Sequence, residues 1–117
     1  TVHCPLNEKT NGLFDEEAFC KMKKSAVLIN VARGPIVSAK ALVDALNHNE
    51  IMAAGLDVFE VEPMTTDNPL QVFKDDSRLV LTPHIGWGTV EARRRVIDEV
   101  ELNIQAFLDG EERNVIC

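Results

Sequence analysis

Ala26-Val27-Leu28-Ile29-Asn30-Val31 is a continuous apolar run broken by one asparagine, and its reading decides the fold. Continuous rather than alternating apolarity predicts a strand covered on both faces, which is the habit of parallel sheets. Ala32-Arg33-Gly34-Pro35 ends the run, because neither Gly nor Pro continues a central strand. Parallel strands need a crossover between them, usually a helix. Ser38 is a suitable N-cap for such a helix over about Ala39 to Asn47, with Ala41, Leu42, Ala45 and Leu46 on one face and Asn49 as a left-handed stop.

The pattern repeats in both directions. Downstream, Met52 to Phe59 predicts a third strand, slimmed by Ala53, Ala54 and Gly55. A Pro-containing loop follows from Glu60 to Pro69, then a short helix over Leu70 to Lys74 and a fourth strand over Leu79 to Leu81. Thr89 caps a final helix to about Leu108, with Val96, Val100, Ile104 and Phe107 at three-and-four spacing and Gly110 as its stop. Arg93 to Arg95, with Asp98, Glu99 and Glu101, cover its wet face. Upstream, Thr1 to His3 closes a first strand. Asp15 caps a helix to about Met22, with Phe14 and Phe19 as a hydrophobic staple. Strand, helix, strand, helix, strand, loop, strand, helix is an α/β fold with a mostly parallel sheet.

Composition narrows the function. The chain has 117 residues, 45% of them hydrophobic, enough for one domain with a modest core. No run reaches the length of a membrane span. The net charge of -7 argues against a nucleic-acid surface. Cys4, Cys20 and Cys117 offer no CxxC or zinc spacing. They read as reduced thiols of a cytoplasmic protein, Cys4 near a site and Cys20 in helix packing. No secretory leader opens the chain. The start at Thr1, without methionine, reads as the tail of a strand from something longer.

In open parallel sheets, ligands bind outside the carboxyl ends of the strands. There the strands release Cys4 and Pro5, then Ala32, Arg33 and Gly34, then Asp57, Glu60 and Glu62, then Pro83, His84 and Gly86. An arginine, an acid and a histidine on one rim suit reduction of a 2-oxo acid. Arginine can grip a planar carboxylate with two hydrogen bonds. Histidine can give a proton to a carbonyl oxygen and take it back. A carboxylate bonded to the imidazole fixes its tautomer and favours its charged form. The acid is Glu60 or Glu62, and spacing alone does not choose. His3 and His48 read as structural or exposed. Trp87 fits core, interface or substrate wall equally.

Asn30 to Val37, Gly55 to Pro63 and Thr82 to Gly86 resemble, in order, the signatures of the D-isomer-specific 2-hydroxyacid dehydrogenases. His3-Cys4-Pro5-Leu6 with Thr10 is similar to the family's preceding strand-end loop. The resemblance implies the second half of a Rossmann-type NAD(P)-binding domain over residues 1–110, with 111–117 returning to a substrate domain. It implies catalytic roles for Arg33 on the substrate carboxylate, Glu62 supporting His84, and His84 as acid/base. It places Cys4, Pro5, Thr10, Val31, Ala32, Arg33, Asp57, His84 and Gly86 at the cofactor. NAD is the implied cofactor, with NADP open, because the glycine-rich phosphate loop and the residue that selects between them would precede Thr1. Trp87 and Glu91-Ala92-Arg93 resemble the glycerate dehydrogenase (hydroxypyruvate reductase) branch. Phosphoglycerate or other D-2-hydroxyacid dehydrogenases, and dinucleotide-sensing corepressor relatives, are the alternatives. The implied partners are a small 2-oxo acid and a second subunit, with no nucleic acid or membrane. A fragment of this extent is expected to be inactive by itself.

Overall fold

The computed structural model describes residues 1–116, with Asp76 described by its backbone alone. Cys117, expected as a thiol and as the end of the tail, lies outside the described residues. Two units arise, one over Thr1–His84 and one from Ile85 onward.

The first unit carries a three-stranded parallel sheet in the order β1 (Val27–Asn30), β2 (Ala53–Leu56), β3 (Leu79–Leu81). Among the described residues three α-helices accompany it: α1 (Glu16–Cys20), α2 (Ala39–Asn47) and α3 (Pro69–Val72). Their starts follow the capping residues. Asp15 accepts from Ala18 N–H at 2.9 Å and Ser38 from Ala41 N–H at 3.3 Å. Phe14 and Phe19 meet with ring centroids 6.4 Å apart, the staple across the first turn of α1. Asn49 takes a left-handed φ of 56° just past α2. The helix starting at Glu16 ends at Cys20, earlier than the expected Met22, with Lys21 as its cap.

Register explains the core. Leu28, Ala54 and Leu79 stand side by side on one face and pack with Leu42 and Leu46 of α2. Ile29, Gly55 and Val80 stand side by side on the other. Here the structure corrects the reading of 26–31 as covered on both faces. Ile29 is 39% and Val80 62% exposed, and β1 alternates exposed and buried. The described helices that join the core cluster sit on the Leu28 side. Two smaller corrections follow. Val2 contributes a single parallel bridge to Asn30 rather than a strand. Cys20, expected in helix packing, is exposed at the end of α1 with its Sγ 3.7 Å from Glu50 Oε1.

The second unit is dominated by α4 (Val90–Asp109). Thr89 caps it through Ala92 N–H at 3.2 Å, and Gly110 closes it at φ 74°. Its apolar stripe, Val96, Val100, Ile104 and Phe107, is exposed. The tail lies along the same helix: Arg113 pairs with Glu99 at 2.8 Å, and Asn114 donates to Asn103 Oδ1 at 3.0 Å. Among the described residues no helix is long and apolar enough to cross a membrane.

Candidate functional site

Because the strands are parallel neighbours, the loops after β1, β2 and β3 leave the sheet at one edge. The loop after β1 is held from inside. Asn30 is fully buried; its Oδ1 accepts from Ala32 N–H and its Nδ2 donates to the Arg33 carbonyl, both at 3.0 Å. Arg33 itself is exposed, and its Nη1 donates to the Ala32 carbonyl at 2.7 Å. Beside it opens a cleft of about 560 Å³ lined by Cys4, Pro5, Leu6, Val31, Ala32 and Arg33, with His3. Thr10 stands behind that wall. Its hydroxyl donates to the Pro5 carbonyl at 2.7 Å and accepts from Asn7 N–H at 2.8 Å, which braces the turn carrying Pro5.

The loop after β2 begins with Asp57, which is buried. Thr82, at the end of β3, donates its hydroxyl to Asp57 Oδ1, so two strand ends are tied side by side. The two acids left open by spacing now separate. Glu60 accepts from Ala39 N–H at 2.8 Å and so serves the first turn of α2. Glu62 reaches His84: Oε2 lies 2.7 Å from Nδ1, while Oε1 accepts from Phe59 N–H at 2.9 Å. Both bonds favour the carboxylate, and they lower the Glu62 pKa below the ordinary glutamate value, the His84 bond first and the Phe59 amide second. The imidazole nitrogen facing Glu62 is thereby defined as Nδ1, and an N–H there matches the charged acceptor.

His84 holds an uncommon backbone conformation, φ 55°. For a residue with this much side chain, left-handed backbone costs on the order of 1 kcal/mol and concentrates at functional sites. Glu62 and His84 share a second cleft of about 380 Å³ with Phe59, Pro63, Met64 and Pro83. Gly86 belongs to the following unit, in the turn where Gly88 N–H donates to the Ile85 carbonyl at 2.8 Å. His3 is exposed, and the ring of His48, also exposed, bonds the Asp44 carbonyl.

Of the anticipated trio, Glu62 and His84 touch, while Arg33, on the loop that leaves the same end of the sheet after β1, lines a separate cleft. The two loops meet through backbone. A Cβ on Gly34 would stand 1.9 Å from the Phe59 carbonyl carbon and oxygen, so only glycine permits this approach. Sequence reading overlooked three residues that organise the site: Asn30, Gly34 and Thr82. Asn30 was visible as the one polar break in an apolar run; the other two act through contacts between loops.

The open cleft beside Arg33 admits a partly apolar ligand, since Val31, which lines it, is exposed and Cys4, Pro5 and Ala32 bring little bulk. Comparison with known proteins points the same way. A family model described as D-isomer specific 2-hydroxyacid dehydrogenase, NAD binding domain, matches residues 1–86. A hydroxypyruvate reductase of Blautia hydrogenotrophica is 42% identical over 98% of this chain and 35% of its own length. A glyoxylate reductase of Thermofilum pendens is 47% identical over 95% of this chain and 32% of its own length. Among solved structures, the NAD-dependent formate dehydrogenase of Staphylococcus aureus in complex with NAD superposes with a TM-score of 0.83 at 32% identity, over 99% of this chain and 35% of that one. The chain therefore spans about a third of the length of the curated relatives it matches.

Proposed function

Because the chain belongs to the D-isomer specific 2-hydroxyacid dehydrogenase family, we propose that it is the proton-transfer part of a longer NAD-dependent enzyme that interconverts a small 2-oxo acid and its D-2-hydroxy acid. Hydroxypyruvate and glyoxylate are the favoured oxo acids, on the names of the relatives. The observation that carries the reading is the Glu62–His84 pair at 2.7 Å, at the strand ends where the loop bearing Arg33 also leaves the parallel sheet.

In this reading each side chain has one task. Arg33 grips the substrate carboxylate with its fork, which fixes the carbonyl carbon in place. His84 donates a proton from Nε2 to the carbonyl oxygen as the hydroxyl forms, and recovers it in the reverse direction. Glu62, bonded at Nδ1, holds the ring in place and fixes which nitrogen faces the substrate. Asp57, fixed by Thr82, offers a carboxylate to the cofactor's polar edge. Cys4, Pro5, Val31 and Ala32 would wall its ring, and Thr10 secures that wall. The nicotinamide dinucleotide, when bound, supplies and recovers the hydride. Residues 1–110 form the second half of the dinucleotide-binding domain and the tail leads to a substrate domain. The reading extends to a cytoplasmic homodimer, on the family resemblance alone.

The test uses the full-length enzyme with hydroxypyruvate, glyoxylate and NADH. His84→Ala lowers kcat by about 10² or more, the usual effect of losing a general acid. Turnover near the parental value in that variant removes His84 from the reaction. Association that depends on NADH, with no reduction of either oxo acid by the parent, replaces the enzyme reading with that of a dinucleotide sensor.

A further inference from the structure

We infer that Asn30 is a positioning residue for substrate binding, its buried carboxamide setting the backbone from which Arg33 meets the carboxylate of the 2-oxo acid. The inference rests on the proposed role of Arg33 and deepens it. Arg33 is exposed, and its guanidinium bonds only its own neighbour's carbonyl at 2.7 Å among the hydrogen bonds described for that side chain. Its aim therefore depends on the main chain that carries it. That main chain is gripped by one side chain at two successive residues, Ala32 N–H and the Arg33 carbonyl, each at 3.0 Å.

The grip is chemically specific. An amide N–H can only donate and a carbonyl can only accept, so the Asn30 carboxamide is oriented without ambiguity. A carboxylate at the same place would put a second acceptor against the Arg33 carbonyl. An apolar residue would leave both partly buried backbone groups without the side-chain partner they have now. The same residue also links the loops, since its main-chain carbonyl accepts from Asp57 N–H at 3.0 Å. Asn30 thus references Arg33 to the strand that also launches Asp57, Glu62 and the His84 contact.

A thermodynamic cycle in the full-length enzyme separates positioning from general structure. In the parent background, Asn30→Asp lowers kcat/KM for hydroxypyruvate by about 10- to 10²-fold, the scale of a displacement near 1 Å, with the loss in KM. The pH profile of kcat, which reports the proton donor, keeps its shape. In an Arg33→Ala background the same substitution costs little more, because the group it positions is gone. Equal losses in both backgrounds overturn the inference and leave Asn30 a structural residue only. Arg33→Ala with parental KM is a different failure: it removes the role of Arg33 itself. Should Asn30→Asp not fold, Asn30→Ser carried through the same cycle gives the same decision.

Discussion

Gly34→Ala is the substitution that most directly tests how the two loops are joined. An alanine Cβ would fall 1.9 Å from the Phe59 carbonyl carbon and oxygen and 2.5 Å from Glu60 N. Restoring an ordinary contact of 3.4 Å requires the loops to part by about 1.5 Å. The obstructing atoms are backbone, so no side-chain rotation relieves the clash. Movement of Phe59 also shifts the amide that holds Glu62 Oε1, and Glu62 holds His84. Overpacking of this kind costs typically 1–3 kcal/mol of stability, so a value of about 3 kcal/mol is expected where nothing soft can yield. Displacement of catalytic groups by about 1 Å costs on the order of 10²-fold in rate. Urea unfolding gives the first number and kcat/KM for hydroxypyruvate in the full-length enzyme the second. An alanine variant with parental midpoint and parental kinetics would show that the Arg33 loop is not seated on Phe59, and the joined-loop geometry would fall.

Glu62→Gln addresses charge. A folded-state pKa held below the ordinary 4.5 means that the Glu62 carboxylate contributes stability above that pH, and loses it as pH falls through the lowered value. The stability difference between parent and Glu62→Gln should therefore shrink as pH falls below about 4.5; a difference that stays unchanged well below that pH contradicts the assignment. Arg78 ties the opposite end of β2, donating to the Met52 and Ile51 carbonyls at 2.8 and 2.9 Å and to Asn49 Oδ1 at 3.1 Å. Arg78→Ala is expected to cost about 2 kcal/mol by denaturant midpoint while leaving the KM for the oxo acid unchanged. A changed KM would mean that this end of the sheet communicates with the site.

Much of the fold could be read from neighbours in sequence. Asp15, Ser38 and Thr89 cap the helices they precede, and Asn49 and Gly110 take left-handed backbone where the helical pattern stops. Such signals are local, since a cap needs only the amides two or three residues away. Leu79–Leu81 was legible as a strand because Pro83 limits it. What lay beyond reach was decided across space. Nothing in the spacing separates Glu60 from Glu62; the start of α2 takes one and His84 takes the other. Gly34 looked like a strand terminator, whereas its lack of a Cβ matters for a backbone some 25 residues further on. The run 26–31 is apolar on both sides, so the pattern could not say which side the present helices would cover.

That half-covered sheet has a practical consequence for anyone who handles the 117 residues by themselves. Ile29 and Val80 flank the open space over Gly55, and β3 ends the sheet with no further strand paired to it among the described residues. A bare β edge next to an exposed apolar face is a template for intermolecular pairing. The net charge of -7 provides some mutual repulsion, which salt would screen. Such a polypeptide should therefore stay dispersed in dilute, low-salt buffer and precipitate as ionic strength or concentration rises. Light scattering across a salt series would measure it, and a lysine at Val80 should delay it.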